Sequence, residues 1–187
     1  MKKIAVFASG SGTNFQAIVD ANKGGSLEAE IKLLVCDKPQ AYCIKRAVNE
    51  GIPSFVFNVK EFASKEEYEK KILQELQAAE VEFIVLAGYM RLIGSVLLQA
   101  FAGRIVNIHP SLLPAFPGKD AIGQALQAGV EETGVTIHFV DEGMDTGPII
   151  DQQEVTVSDG ETMESLQMKI HEVEHVFYPQ VLNKILN

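Results

Sequence analysis

Short, largely apolar runs recur along the chain, and each is followed by a stretch with helical spacing. Ile4–Ala8, Ile31–Val35, Phe55–Phe57, Phe83–Ala87 and Ile105–Ile108 read as strands buried on both faces, because they lack the polar alternation of a half-exposed strand. Between them, Asn14–Asn22, Ala41–Asn49, Lys65–Ala79 and Ile93–Phe101 read as helices. The third opens on Ser64-Lys65-Glu66-Glu67, a capping box in which Ser64 and Glu67 each satisfy a free backbone N–H. "TIHFVDEG" and "IIDQQEVTV" follow as two further strands, and a long last helix starts near Glu161.

This alternation predicts an α/β fold: a doubly wound, mostly parallel sheet with helices on both faces, Rossmann-like in form. No repeat, low-complexity segment or linker interrupts it, so residues 1–187 are expected to form one domain. Ligands of such sheets bind beyond the C-terminal ends of the strands. Chemistry-bearing residues at those ends therefore matter most.

Strand five supplies two. Asn107 and His109 stand two apart, so they share a face, and Pro110 then ends the ladder. An amide can donate to a developing oxyanion, and an imidazole can carry a proton between nucleophile and leaving group. The pair suits acyl transfer. No G-x-S-x-G elbow is present, so the nucleophile is expected to belong to the substrate.

A working histidine needs a carboxylate to orient it and favour its charged form. "VDEGMDTGP" (140–148) is a glycine-rich loop after a strand with Asp145 at its centre, and Asp141 and Glu142 compete for the role. His138 reads as a core or supporting residue. On the last helix Leu166, Ile170, Val173 and Phe177 form the apolar stripe, which places Glu174 at its edge, half-buried, and His175 toward solvent.

The loop after strand one, "ASGSGTNFQAI", brings Gly10 and Gly12 to a helix start with Ser11, Thr13 and Asn14 as donors, a place that favours an anion. A dinucleotide fold would begin similarly, with Asp37 closing strand two as a ribose-binding acid. However, Phe15 stands where the third glycine of G-x-G-x-x-G belongs, and a single phosphate fits better than a pyrophosphate.

Composition narrows the partners. A formal net charge of −9 argues against nucleic-acid or anionic-membrane binding through bulk charge, but leaves a phosphorylated small molecule open. Cys36 and Cys43 lie in separate predicted elements without further ligands nearby, so they are expected to be reduced, semi-buried thiols rather than a disulfide or zinc site. "MKKIAVFASGSG" reads as a first strand rather than a signal peptide, and a cytoplasmic location is expected.

"NIHPSLLP" with "FPG", the downstream "DEGMDTGPII" and the N-terminal "SGSGTN", in that order, resemble the folate-dependent formyltransferases over essentially the whole chain. The resemblance implies transfer of the formyl group of 10-formyltetrahydrofolate, a co-substrate, to the amino group of glycinamide ribonucleotide in de novo purine (IMP) biosynthesis. It implies Asn107 as oxyanion partner, His109 as proton donor and Asp145 as the carboxylate that keeps the histidine charged. It places the ribonucleotide phosphate on Gly12, Thr13 and Asn14, and the glycinamide end at Glu174. The folate would lie along Met90, Arg91, Leu92 and Ile93, beside Asn107, and along Asp141, Glu142, Gly143, Met144 and Asp145. Lys65 stands where relatives often carry an arginine for folate, keeping the charge but losing the planar fork. Lys119–Gly123 receives no role, no metal is called for, and a homo-oligomer is left open. Rival readings are a formyltetrahydrofolate hydrolase, which usually adds an N-terminal domain, a formyltransferase acting on methionyl-tRNA or an amino sugar, and a non-catalytic dinucleotide-binding module.

Overall fold

In the computed structural model, which describes residues 1–187, the strands are β1 (Lys2–Ala8), β2 (Ala29–Cys36), β3 (Ser54–Val56), β4 (Phe83–Leu86), β5 (Ile105–His109), β6 (Glu132–Phe139) and β7 (Ile149–Thr156). They form one seven-stranded sheet in the order β3-β2-β1-β4-β5-β6-β7. β1 to β5 pair in parallel, whereas β6 and β7 are antiparallel additions beyond β5. The chain starts at the centre, winds out to β3, and returns past β1 to β4. That reversal leaves a crevice above the C-terminal ends of β1 and β4, the place where doubly wound sheets bind ligands.

The helices are α1 (Thr13–Lys23), α2 (Tyr42–Asn49), α3 (Lys65–Ala78), α4 (Ser95–Ala100), α5 (Ala121–Ala128) and α6 (Met163–Leu186). They cover both faces, and β1 shows this residue by residue. Ile4, Val6 and Ala8 pack into a 28-residue cluster with Phe15, Ile18, Ile170 and Tyr178. Ala5 and Phe7 point the other way, into a 15-residue cluster with Ile72, Leu76 and Leu97. A strand sandwiched like this has no polar face, which is why its sequence reads as an unbroken apolar run. The Tyr178 hydroxyl donates to the Leu86 carbonyl at 2.7 Å, tying α6 to β4 just below the crevice.

Ser64 caps α3 by accepting from the Glu67 N–H at 3.2 Å, but the Glu67 carboxylate reaches the Ala63 N–H instead of that of Ser64. The cap is thus one residue wider than the box predicts. Ile93 precedes α4 rather than opening it. Cys36 and Cys43 are fully buried free thiols rather than semi-buried ones, and their sulfurs lie 3.6 Å apart because α2 begins directly over the end of β2. No helix is long and apolar enough to cross a membrane.

Candidate active site

The crevice carries three groups of residues, each held by a different pair of elements. The first is at the end of β5. Asn107 pairs across the ladder with His138 of β6, and His109 with Thr136. Side chains opposite one another in an antiparallel pair share a face, so Asn107, His109 and His138 project together. His109 and His138 are buried, with 6% and 2% of their surface exposed.

Hydrogen bonding orients both rings. The His138 Nδ1 lies 2.9 Å from the Phe139 carbonyl, which can only accept, so Nδ1 carries the proton. Nε2 of the neutral ring then accepts from the Asn107 Nδ2, 3.4 Å away. One amide N–H of Asn107 is thereby used, and the other remains for a ligand. The His109 Nε2 faces the Phe116 carbonyl at 2.9 Å, and its Nδ1 faces the Asp145 carboxylate at 3.5 Å. The Phe116 carbonyl can only accept, so Nε2 carries a proton, and Nδ1 is the nitrogen turned toward the carboxylate.

Asp145 reaches this position because it adopts a left-handed backbone with φ 56. Its Oδ2 also accepts the Gly118 N–H at 2.8 Å, and its Oδ1 lies 3.8 Å from the His138 Nε2. One carboxylate therefore faces His109, lies close to His138, and pins the 110–118 loop to the 141–147 loop. The rival acids point elsewhere. Asp141 accepts from the Thr146 hydroxyl at 2.6 Å and the Gly143 N–H at 3.0 Å, bonds that hold its carboxyl below the usual range, and Glu142 is exposed. Gly147 lets the loop lie flat on β6, since a Cβ there would sit 1.8 Å from the Phe139 carbonyl oxygen.

The second group is the glycine-rich loop. Gly12 precedes α1 with φ 76, and no side chain caps the helix, so neither Thr13 nor Asn14 occupies its free N–H groups. α2 fixes the loop from behind: the Cys43 N–H donates to the Gly10 carbonyl at 3.1 Å, and the Arg46 Nε donates to the Ser11 carbonyl at 2.7 Å. A Cβ on Gly12 would lie 2.5 Å from the Cys43 Cβ, so both the φ and the close approach require glycine there.

α6 faces this loop. Glu174 is buried at 5% exposure rather than half-buried, because it falls on the row Leu166, Ile170, Glu174, Tyr178, Leu182 that packs on the sheet. His175 is half-buried rather than fully solvent-facing as the stripe suggested. α6 also packs against α1, so His175 lines a depression with Thr13, Gln16 and Arg46, and its ring stacks 6.1 Å from that of His171. Burial lowers the pKa of both histidines, and for His175 the His171 and Arg46 charges add to it. The His175 Nε2 and Asn14 Oδ1 are buried without a partner. Unsatisfied buried polar atoms are rare, and these two flank the same uncapped loop.

Burial pushes the Glu174 carboxyl up from 4.5 to about 7, with the neighbouring Asn14 side chain offsetting part of the shift. The folded protein thus keeps a proton on Glu174 where the unfolded chain has lost it. Folding stability is favoured below pH 4.5 and declines as pH rises to about 7. At ~1.4 kcal/mol per pH unit, that decline amounts to about 3 kcal/mol. Urea unfolding of wild type and Glu174→Gln at stepped pH checks this: the variant should gain on the wild type across the window and run parallel above it. Parallel curves throughout would contradict a buried, protonated carboxyl.

The third group is the loop from Gly88 to Gly94. The side chains of Met90 and Leu92 are exposed beyond the end of β4, and Met144 is exposed in the acidic loop, near Gly118. Ile93 is buried beneath them. The Lys65 ammonium donates to the Leu92 carbonyl at 2.7 Å, so Lys65 is engaged in holding this loop. Asp37, raised as a ribose-binding acid, is 2% exposed and paired with Arg91 at 2.9 Å, which leaves no free carboxylate for a nucleotide sugar. No group of three or more His, Cys, Asp or Glu side chains is arranged to hold a metal. A separate open depression against β7, lined by Leu112, Ile149 and Gln152 among others, lies outside these groups.

The sequence signature of the formyl transferase family matches residues 2–182. The chain belongs to that family. Within it, this chain is 55% identical over 186 residues to the phosphoribosylglycinamide formyltransferase of Bacillus subtilis, covering all of this chain and 95% of that one. The crystal structure of glycinamide ribonucleotide transformylase 1 from Geobacillus kaustophilus superposes with a TM-score of 0.98 at 62% identity, covering both chains in full. The Drosophila melanogaster trifunctional purine biosynthetic protein adenosine-3 is 43% identical over 188 residues, which span this whole chain and 14% of that protein. The mostly parallel seven-stranded α/β fold is thus shared with that transformylase over the whole chain.

Proposed function

We propose that this family member transfers the formyl group of 10-formyltetrahydrofolate to the amino group of glycinamide ribonucleotide, the formylation step of purine biosynthesis. The observation that carries the reading is the joining of Asn107, His109 and Asp145 at the crevice, between an uncapped anion-binding loop and a loop rimmed by exposed apolar side chains.

Gly12, Thr13 and Asn14 hold the phosphate through the free N–H groups of α1, with Arg46 beside them as the source of positive charge and His175 as a neutral hydrogen-bonding neighbour. The orphaned Asn14 Oδ1 and the Glu174 carboxyl take hydrogen bonds from the rest of the ribonucleotide. The folate ring lies against Met90–Ile93, where unpaired backbone groups and exposed apolar side chains suit a planar heterocycle, and its tail runs past Asp141–Asp145.

The chemistry follows from the polar cluster. The neutral amine of the ribonucleotide attacks the formyl carbon, a C–N bond forms, and the carbonyl electron pair moves onto oxygen. The free Asn107 N–H and the His109 cation stabilise that oxyanion. When the tetrahedral centre collapses, the bond to the folate N10 breaks, and N10 takes the proton that the amine has given up. His109 is the proton carrier, and Asp145 supports its charge. The formamide and tetrahydrofolate then account for every atom.

The test is to follow tetrahydrofolate formation in mixtures of the protein and 10-formyltetrahydrofolate, with and without glycinamide ribonucleotide. Turnover should require both substrates. Turnover with the folate alone would replace the reading with that of a hydrolase, and none in either mixture would remove the acceptor assignment.

A further inference from the structure

One buried acid is not used by this chemistry. The Asp37 side chain lies just past β2 without solvent contact, and both of its oxygens are engaged. Its Oδ1 accepts the Ser9 hydroxyl at 2.5 Å, and the same Ser9 oxygen accepts the Met90 N–H at 2.8 Å. Its Oδ2 accepts the Arg91 Nε at 2.9 Å. A carboxylate can only accept, so the Ser9 proton must point toward Asp37 and the Ser9 lone pair toward Met90. One carboxylate thereby fixes two consecutive residues of the rim loop, Met90 through a hydroxyl and Arg91 through its guanidinium.

The rest of that loop is held at every second residue. The Gly88 carbonyl accepts the Ser9 N–H at 3.0 Å, the Leu92 carbonyl accepts from Lys65, and the Gly94 N–H donates to buried Glu69 at 2.8 Å. Between these anchors the Met90 carbonyl and the Leu92 N–H have no partner within the protein. An acceptor and a donor two residues apart, on backbone anchored at either side, are suited to the edge of a flat heterocycle.

We propose that Asp37 is a positioning residue for the folate, acting through Ser9 and Arg91 to hold the Met90–Leu92 backbone in its ligand-ready form. This rests on the folate reading of that loop. Asp37 touches neither substrate. Its effect falls on one of the two because its bonds lead to the rim loop and none leads to Asn107, His109 or α6.

The experiment compares wild type, Asp37→Asn and Ser9→Ala. Calorimetry gives the Kd of tetrahydrofolate and of glycinamide ribonucleotide for each. Loss of a charge-assisted hydrogen bond should weaken tetrahydrofolate by about 10- to 100-fold in either variant. The KM of the formyl donor should rise in parallel, with kcat at saturation and ribonucleotide Kd little changed. Because Ser9 and Asp37 act in one chain, the double variant should lose far less than the product of the two single losses. Ser9→Ala, the smaller change, serves if Asp37→Asn folds poorly. Equal weakening of both substrates, or multiplicative losses, would overturn the positioning role. Hydrogen exchange at Met90 and Leu92 in the wild type separates the two ideas. Protection by tetrahydrofolate combined with an unchanged folate Kd in the variants defeats the proposal alone. No protection at all removes the folate reading of the loop, and the proposal falls with it.

Discussion

His109→Ala should lower kcat by about 10²–10⁴-fold, the usual span for a lost proton carrier, while the Kd of glycinamide ribonucleotide stays close to wild type. The split follows from where the ring sits. His109 lies at the end of β5, between the Phe116 carbonyl and the Asp145 carboxylate, and none of its hydrogen bonds reaches the glycine-rich loop or α6. Removing it takes away a donor that matters once the carbonyl oxygen has gained charge, an interaction made mainly in the transition state. Asn107→Ala should show the same pattern more mildly, since the His109 cation still faces the oxyanion. The measurement is steady-state kinetics with both substrates varied, alongside direct ribonucleotide binding. A matched loss of binding would mean that the histidine holds substrate rather than moving its proton.

The same contrast between local pattern and tertiary placement explains how much the sequence disclosed. β1, β4 and β5 were legible because strands buried on both faces need apolar runs, and α3 because Ser64 caps it; β3, read as buried on both faces, is instead a half-buried edge strand, Ser54–Val56. Asn107 and His109 stood out because two polar residues at such a strand end have no structural reason to be there. The antiparallel direction of β6 leaves no mark in composition or periodicity. Only the register that sets His138 opposite Asn107 turns a core histidine into the residue that orients the amide.

Glu174 could have been found from its i, i+4 row, whereas the stripe was drawn through Val173 and so shifted one residue aside. His175 needed the knowledge that α6 touches α1 as well as the sheet. α5 escaped notice because it is short, carries a glycine, and is capped by Asp120 from a left-handed backbone with φ 54. The Asp37–Ser9–Met90 chain joins residues far apart in sequence, and no local rule could assemble it.

Asp145→Asn isolates charge from geometry in a way that removing the side chain does not. In the wild type, Oδ2 accepts from Gly118 and faces the His109 Nδ1, while Oδ1 faces the His138 Nε2, which is an acceptor in the neutral ring. An asparagine can keep its oxygen on the first side and turn its NH₂ toward His138. The loop crossing and both ring orientations are therefore expected to survive, with the melting temperature and ribonucleotide binding near those of the wild type. What disappears is the negative charge beside the imidazolium. Two opposite charges about 4 Å apart near a protein surface interact by about 4 kcal/mol at an effective dielectric of about 20. Some of that returns through solvent at the crevice mouth, so kcat should fall by about 10²–10³-fold. Asp145→Ala should lose similar activity and also stability, because the Gly118 N–H loses its acceptor. If Asp145→Asn turned over like the wild type, the carboxylate would be a hinge pin between two loops and nothing more, and the charge on His109 would have to come from the substrates.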